Sequence, residues 1–405
     1  MTEKVNSRAD RMTSSHRESL WALAGVIFLD ALSYSLILPL LPFILKSFHA
    51  GAITGGFLIA IHSLFSAVSG PILGAASDRL GRRTIILVSI VGTCASYLVF
   101  SFSQNLVTLF LARAIAGAMA GNVGVVQAAA ADGAPEGGRA KTMSVLSAAM
   151  AMGFVLGPVL SAVIGQVAPE SSLWAGVMAS LASVVSLATA WRFYREEPQA
   201  PSMAPSARGA RLFSKAMSGG TRELIGVAAA SAMAQTGMVA MTGFWAHHAF
   251  GWGVREVGFL FFWTASCMVA AQIVAVPKLV KALGESAALK AAVALCVLAV
   301  AGLIFGAHSR VALLMCSPGL FCGITIIQTM AASLLSQQVG AAERGALLGL
   351  SNGVSSVARV IGPALCGLVF VRLDPTAPFW LIGVVMGACL IWFPLRRQRV
   401  RIHPL

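Results

Sequence analysis

Long apolar stretches separated by short polar segments dominate the chain. Twelve stretches of about 17 residues or more contain at most one charged residue each, close to the roughly 20 residues that cross about 30 Å of hydrocarbon as a helix. They cover residues 20–45, 52–76, 85–102, 106–131, 143–165, 173–191, 224–250, 257–276, 291–307, 311–335, 347–370 and 378–394. The pattern predicts an all-α membrane protein with twelve transmembrane helices.

Composition excludes an ordinary soluble protein. Of the 405 residues, 57% are hydrophobic and 11% are charged, whereas soluble chains carry about a quarter charged residues. The net charge of +14 would otherwise suggest nucleic acid. The basic residues lie in short loops between apolar runs, so we expect a lipid bilayer as partner and no nucleic acid.

The distribution of Lys and Arg predicts the orientation. If both termini are cytoplasmic, 23 of the 29 basic residues lie on that face, and Lys46, Arg255, Arg310 and Arg372 lie opposite. Cytoplasmic loops are enriched in Lys and Arg. We therefore expect a multi-pass protein of a bacterial-type inner membrane with both termini inside. The first apolar run is too long for a signal-peptide core and is expected to stay as a helix.

A polar stretch near residues 194–221 divides the helices six and six. Predicted segments are an N-terminal tail (1–19), a first six-helix bundle (20–194), a linker (195–221), a second bundle (222–396) and a C-terminal tail (397–405). Gly157-Pro158 matches Gly362-Pro363 at an offset of 205 residues, and Gly81 matches Gly284 at 203. Such matches indicate an internal duplication with a cleft between two bundles.

Enzyme and metal chemistry lack their usual motifs. The seven cysteines lie in apolar runs without metal spacing and are interpreted as core residues, with no disulfide, bound metal or cofactor expected. The chain has no Walker A and no HExxH motif. Residues 349–353 spell GxSxG, but they lie inside a predicted helix, where this spacing favours a helix contact over a nucleophile elbow.

Residues 70–83 (GPILGAASDRLGRR) closely resemble the signature loop between the second and third helices of the major facilitator superfamily. Three other segments resemble the drug:proton antiporter branch of that family, which includes the tetracycline exporters. They are FLDAL with LPLLP in the first span, LARAIAG in the fourth, and GFVLGP in the fifth. The antiporter motif of the fifth span contains Gly153, Gly157 and Pro158.

The resemblance implies two pseudo-symmetric six-helix bundles, a cavity at mid-membrane, and rocking that exposes the cavity to each side in turn. It also implies a monomer and a small-molecule substrate exchanged for protons. In the signature loop, Gly81 permits a tight turn. Asp78, Arg79, Arg82 and Arg83, with Asp132 nearby, are expected to form ion pairs that latch one conformation. The alternative for the basic residues is that they only enforce topology.

Charges inside the membrane cost about 2.5 to 3.5 kcal/mol each on insertion scales and mark functional hypotheses. Asp30 lies near mid-depth and is the candidate proton carrier; the alternative is a permanently ionised Asp30 paired with Arg113 for packing. Arg113 is a candidate helper in proton coupling, because arginine does not deprotonate. His62 is a candidate relay, or a neutral packing residue. Arg359 could bind an anionic group on cargo or backbone carbonyls.

The expected cavity wall is polar but uncharged, with aromatic surfaces, which suits amphipathic molecules. Its candidate residues are Tyr34, Asn122, Gln127, Gln235, Phe244, Trp245, Trp263, Gln272, Gln328, Asn352 and Arg359. The first hypothesis is therefore proton-coupled export of small drug-like compounds, with a role in antibiotic resistance. The alternatives are uptake or facilitated passage of a metabolite by the same fold, and a non-transporting membrane sensor or assembly factor.

Overall fold

A computed structural model describes the backbone of residues 2–134, 138–168, 170–196, 219–338 and 341–392. Fourteen α-helices occur in these ranges. They are α1 (Thr2–Ser47), α2 (Ala52–Leu80), α3 (Arg82–Ser101), α4 (Leu106–Ala120), α5 (Asn122–Asp132), α6 (Arg139–Val167), α7 (Ser172–Phe193), α8 (Gly219–Phe250), α9 (Val254–Ala270), α10 (Val276–Leu283), α11 (Glu285–Phe305), α12 (Arg310–Gln337), α13 (Ala341–Arg372) and α14 (Ala377–Trp392).

The all-helical membrane fold is confirmed. Within the described ranges, eleven helical segments are long and apolar enough to cross a membrane, and Ala377–Trp392 is a shorter apolar helix. Two predicted spans are built from two helices each. The fourth is interrupted at Gly121, between α4 and α5, and a π-helical turn (Ala271–Ala275) joins α9 to α10 in the eighth.

The first helix begins earlier than expected. Its predicted apolar run starts at residue 20, whereas α1 begins at Thr2. Residues 2–24 contain no Pro or Gly, so the polar tail has nothing to end a helix that continues into the membrane. Most of the predicted linker and all of the C-terminal tail lie outside the described residues.

Helix boundaries follow local chemistry. Asn105 and Ser309 each accept a hydrogen bond from a backbone N–H in the first turn of the helix that follows, α4 and α12 respectively. These side chains satisfy donors that a helix start leaves open. Gly81 and Gly284 have φ angles of 90° and 78° in the tight turns before α3 and α11, a conformation that disfavours a Cβ.

The chain forms two compact units. Unit 1 contains Met1–Pro205 and Val239–Ala265, and unit 2 contains Ser206–Met238 and Ser266–Leu405. Unit 1 thus holds the predicted first bundle together with the end of α8 and most of α9. In unit 1, a Cβ on Gly258 would lie 2.8 Å from the carbonyl oxygen of Pro158, so small residues allow this segment to pack closely on α6.

In unit 1, α1 is held by α6 and α7 through small residues. A Cβ added at Gly157 would lie 2.8 Å from both the carbonyl oxygen of Leu32 and the amide nitrogen of Leu36. Ser35 donates a hydrogen bond to the carbonyl oxygen of Gly153 at 3.0 Å. These contacts let the backbones approach closely, as small residues do in membrane helix pairs.

Unit 2 repeats this arrangement between α8 and α13. Gly362 lies against the backbone of Met233, as Gly157 lies against that of Leu32. Thr236 donates to the carbonyl oxygen of Arg359 at 3.2 Å, as Ser35 does to that of Gly153. The residue pairs are separated by 201 to 206 residues, close to the offsets of 203 and 205 that suggested a duplication.

The packing of α1 on α6 generates a prediction. Gly157→Ala should lower stability by about 1 to 3 kcal/mol, because the added methyl group meets backbone atoms that cannot move aside. The thermal midpoint of purified protein, followed by tryptophan fluorescence, measures the effect. Gly124→Ala on α5 is the control, since a Cβ there meets nothing within 4 Å. Equal midpoints for the two variants would contradict this account of the α1–α6 contact.

Candidate functional site

Asp30 lies on α1 at the edge of a small polar cavity inside unit 1. The cavity is lined by Val26, Asp30, Ile90, Thr93, Asn122, Ser183 and Ser186, from α1, α3, α5 and α7. Its volume is about 10 Å³, room for about one water-sized sphere. Among the described residues, the Asp30 carboxylate has neither an ion-pair partner nor a side-chain hydrogen bond.

Arg113 lies on α4 and is 3% exposed. Its Nε and Nη2 atoms are buried and have no hydrogen-bond partner among the described residues. The guanidinium carbon lies 5.2 Å from the centre of the Phe100 ring, a cation–π distance. The alternative in which Arg113 is permanently paired with Asp30 is therefore not seen: no ion pair joins them in this structure.

Tyr34 on α1 and His62 on α2 stack on each other. Their ring centres are 4.9 Å apart, and Phe154 meets the Tyr34 ring edge-on at 6.2 Å. Gly117 on α4 packs on the backbone of His62, where a Cβ would lie 2.9 Å from the His62 Cα. The structure thus brings together Tyr34 and His62, which the sequence singled out separately, and fixes α2 against α4 at this level.

An ionic cluster occupies the turn between α2 and α3. The Arg82 guanidinium lies 2.9 Å from Asp78 and 3.2 Å from Asp132, and it donates to Ser77 at 2.6 Å. Arg83 donates to the carbonyl oxygen of Trp191 at 2.8 Å. The expected latch residues therefore meet, centred on Arg82.

Two features of this cluster differ from the expectation. Glu196, which the sequence did not single out, accepts a hydrogen bond from the backbone N–H of Arg82, and a Cβ on Gly81 would lie 2.9 Å from its carboxylate. Arg79 is exposed and makes no ion pair or hydrogen bond among the described residues. The sequence does show two consecutive acids after α7, Glu196 and Glu197, but it does not show that the chain there turns towards Arg82.

Most of the polar candidates of unit 2 form side-chain hydrogen bonds within that unit. Gln328 donates to Gln235 at 2.9 Å, and Gln272 in the π-helical turn donates to Thr329 at 3.2 Å. Arg359 donates to Ser356 at 3.1 Å, and Asn352 is exposed. Glu285, which the sequence did not single out, accepts hydrogen bonds from Ser333 and Gln337.

The remaining cavity candidates differ in exposure. Trp245 is 2% exposed and packs edge-on against Phe250, so its ring offers no free surface here. Phe244 packs against Gly55. Trp263 is 36% exposed and Gln127 is exposed on α5. Of the described residues, no three or more His, Cys, Asp or Glu group together as metal ligands would.

Some curated proteins are similar to part of this chain, and others are similar to most of it. The class B tetracycline resistance protein of Escherichia coli is 32% identical over 42% of this chain and 43% of that protein. The chain thus spans less than half the length of the tetracycline resistance relatives it matches. Multidrug resistance protein 1 of Bacillus subtilis is 23% identical over 91% of this chain and 94% of that protein.

The fold has counterparts among solved structures. The human organic anion transporter MFSD10 superposes with a TM-score of 0.71 at 24% identity, over 94% of this chain and 99% of that one. The sequence model of the family described as "Major Facilitator Superfamily" matches residues 23–363, which is most of the sequence. The chain belongs to the major facilitator superfamily, and its described part has the fold of a multi-pass membrane protein.

Proposed function

We propose that this protein exports small amphipathic, drug-like compounds from the cytoplasm in exchange for protons. The observation that carries the proposal is the Asp30 carboxylate: it lies inside a membrane span, beside a polar cavity, with no ion-pair partner among the described residues. A carboxyl group that is not neutralised by an arginine can exist in either protonation state, and this is the property that a proton carrier needs.

The coupling follows from the energetics of the two states. Low dielectric surroundings disfavour the charged carboxylate, and contact with water or with a cationic group favours it. A protonated Asp30 releases cationic or polar cargo to the outside. Loss of the proton to the cytoplasm leaves a charge that draws the next cargo molecule from the inside, and the bundles then tip to close the inner face.

Arg113 assists this exchange without carrying the proton. Its guanidinium stays charged in both halves of the cycle, and the two nitrogen atoms without partners supply donors for either an ionised Asp30 or an anionic group on the cargo. Tyr34 and His62 line the route beside it.

The Arg82 cluster is the proposed latch of the cytoplasmic face. The Arg82 side chain is 16% exposed and bonds two acids on different segments, Asp78 and Asp132. Moving α5 away from the turn between α2 and α3 would break the pair between Arg82 and Asp132, so the cluster favours the conformation in which this turn and α5 remain together. The 23 basic residues on this face support its cytoplasmic location.

Relatives named for tetracycline and multidrug resistance support drug-like cargo. A second candidate is movement of an anionic metabolite in either direction, with Arg113 as a ligand of its charged group. The unpartnered guanidinium favours this candidate, and the direction of flux relative to the proton gradient separates the two.

Neutralising Asp30 tests the coupling. In proteoliposomes with an imposed pH gradient, Asp30→Asn should reduce gradient-driven transport of a labelled tetracycline or cationic dye to the level of protein-free vesicles. Binding of the same compound should remain measurable but weaker, because the amide keeps the shape of the side chain while imitating its protonated, cargo-releasing state. The control is Glu170→Gln, which removes an exposed acid paired with Lys46. Unchanged gradient-driven flux in Asp30→Asn would remove Asp30 from its proposed role.

Breaking the ionic cluster tests the latch. Arg82→Gln should raise the rate of backbone hydrogen exchange in residues 78–83 and 129–134 by about fivefold or more, because losing about 1 kcal/mol shifts an opening equilibrium by that factor. Arg79→Gln is the matched control, since the neighbouring arginine makes no ion pair among the described residues. If both variants exchange like the parent protein, the cluster does not hold this face closed.

A further inference from the structure

The cavity beside Asp30 is lined by oxygen-bearing side chains that lack protein partners. Asn122 and Ser186 are each 3% exposed and Thr93 is 5% exposed. In the described part of the chain, the Thr93 hydroxyl has no hydrogen-bond partner, and no side-chain hydrogen bond is made by Asn122 or Ser186. Ser183 donates to the carbonyl oxygen of Ala179 at 3.0 Å, which leaves its oxygen lone pairs free to accept.

Such groups need a partner. Buried polar atoms are nearly always satisfied, and the cost of leaving one unsatisfied, as the Thr93 hydroxyl is here, is about 1 to 3 kcal/mol. Four side chains that lack hydrogen bonds here, counting Asp30, converge on one space of about 10 Å³. A single small occupant that is bound by several oxygen atoms at once would satisfy all of them.

The chemistry of these atoms points to a cation. One carboxylate, one amide oxygen and three hydroxyl oxygens are hard ligands of the kind that bind alkali and alkaline-earth ions. The single negative charge matches one positive charge. A divalent ion would leave an excess charge inside the membrane, which is costly, and Asp30 is the one acid among the described residues that line the cavity.

The backbone supports the same location. In the fourth span, Gly121 separates α4 from α5, and Asn122 is the first residue of α5. Gly121 keeps helical φ and ψ angles of −60° and −13°, so the span continues through this point and brings Asn122 to the wall of the cavity.

We propose that the cavity formed by Asp30, Thr93, Asn122, Ser183 and Ser186 is a binding site for a monovalent cation of the size of Na⁺. The ion occupies the site while Asp30 is ionised and supplies a counter-charge, since no arginine among the described residues forms an ion pair with Asp30 in this structure. The site uses the same carboxylate as the proposed proton exchange, but equilibrium binding of the ion does not depend on whether transport is driven by protons.

Equilibrium binding of radioactive ²²Na⁺ to the purified full-length protein in detergent tests this proposal. The parent protein should bind Na⁺ saturably, and its thermal midpoint should rise with Na⁺ concentration relative to choline at equal ionic strength. Thr93→Val and Ser186→Ala should each weaken binding by about tenfold or more, since even groups outside the first ligand shell cost this much in metal sites. Asp30→Asn should abolish binding.

Ser180→Ala is the matched control. Ser180 lies on α7, as Ser186 does. It is 5% exposed and its hydroxyl has no partner among the described residues, but it does not line the cavity. Its replacement should leave the affinity for Na⁺ unchanged. If one cavity variant fails to fold, the other still reports on the site.

Two results would overturn the proposed cation site. No saturable ²²Na⁺ binding, with equal midpoints in Na⁺, K⁺ and choline, would overturn the proposal and assign the cavity to water. Retention of full Na⁺ affinity by Asp30→Asn would also overturn it. Loss of proton-driven transport with Na⁺ binding intact counts against the proposed function alone, whereas proton-driven transport without Na⁺ binding counts against the cation site alone.

Discussion

Hydrocarbon tolerates an ionised group only when protein, water or a counter-ion compensates its charge, and much of unit 1 is arranged around this constraint. It contains an acid, Asp30, and a base, Arg113, which no ion pair joins. Direct pairing would be the simplest compensation, but it would also fix both charges and leave no exchangeable proton. Instead, the Arg113 guanidinium lies over the ring of Phe100, and Asp30 lines a polar cavity. Keeping the charges apart leaves Asp30 free to respond to what reaches it.

Close backbone packing positions these charges. Gly153 and Gly157 bring α6 onto α1, and Gly117 brings α4 onto α2. In each contact the backbones of two helices approach closely, and few side chains interlock between them. The same contact occurs in unit 2 through Gly362 on α13. Both halves thus hold their first helix by the same kind of contact, although the acid of α8, Glu223, lies in the first turns of that helix.

Sequence predicted much of this and missed specific parts for physical reasons. Apolar length alone predicted the spans, and charge-rich turns predicted that Arg82, Asp78 and Asp132 would meet. Glu196 was missed because it joins the cluster through a backbone N–H, which no side-chain pattern records. The interruption at Gly121 and the π-helical turn near Gln272 were missed because an apolar run looks the same whether its hydrogen bonding is continuous or broken. Trp245 was assigned to a cavity wall although it is buried, because periodicity cannot tell a helix face that meets protein from one that meets a ligand.

The short helix α5 connects the two groups of residues on which transport would depend. Its first residue, Asn122, lines the Asp30 cavity, and its last residue, Asp132, pairs with Arg82. Eleven residues correspond to about 16 Å along a helix axis, so one rigid element spans the distance between them. Gly121 precedes this helix and packs on the backbone of Gly70 in α2. If the proposed cation site and latch exist, one helix carries a residue of each, and it provides a contiguous physical route by which occupancy of the cavity would act on the Arg82 cluster.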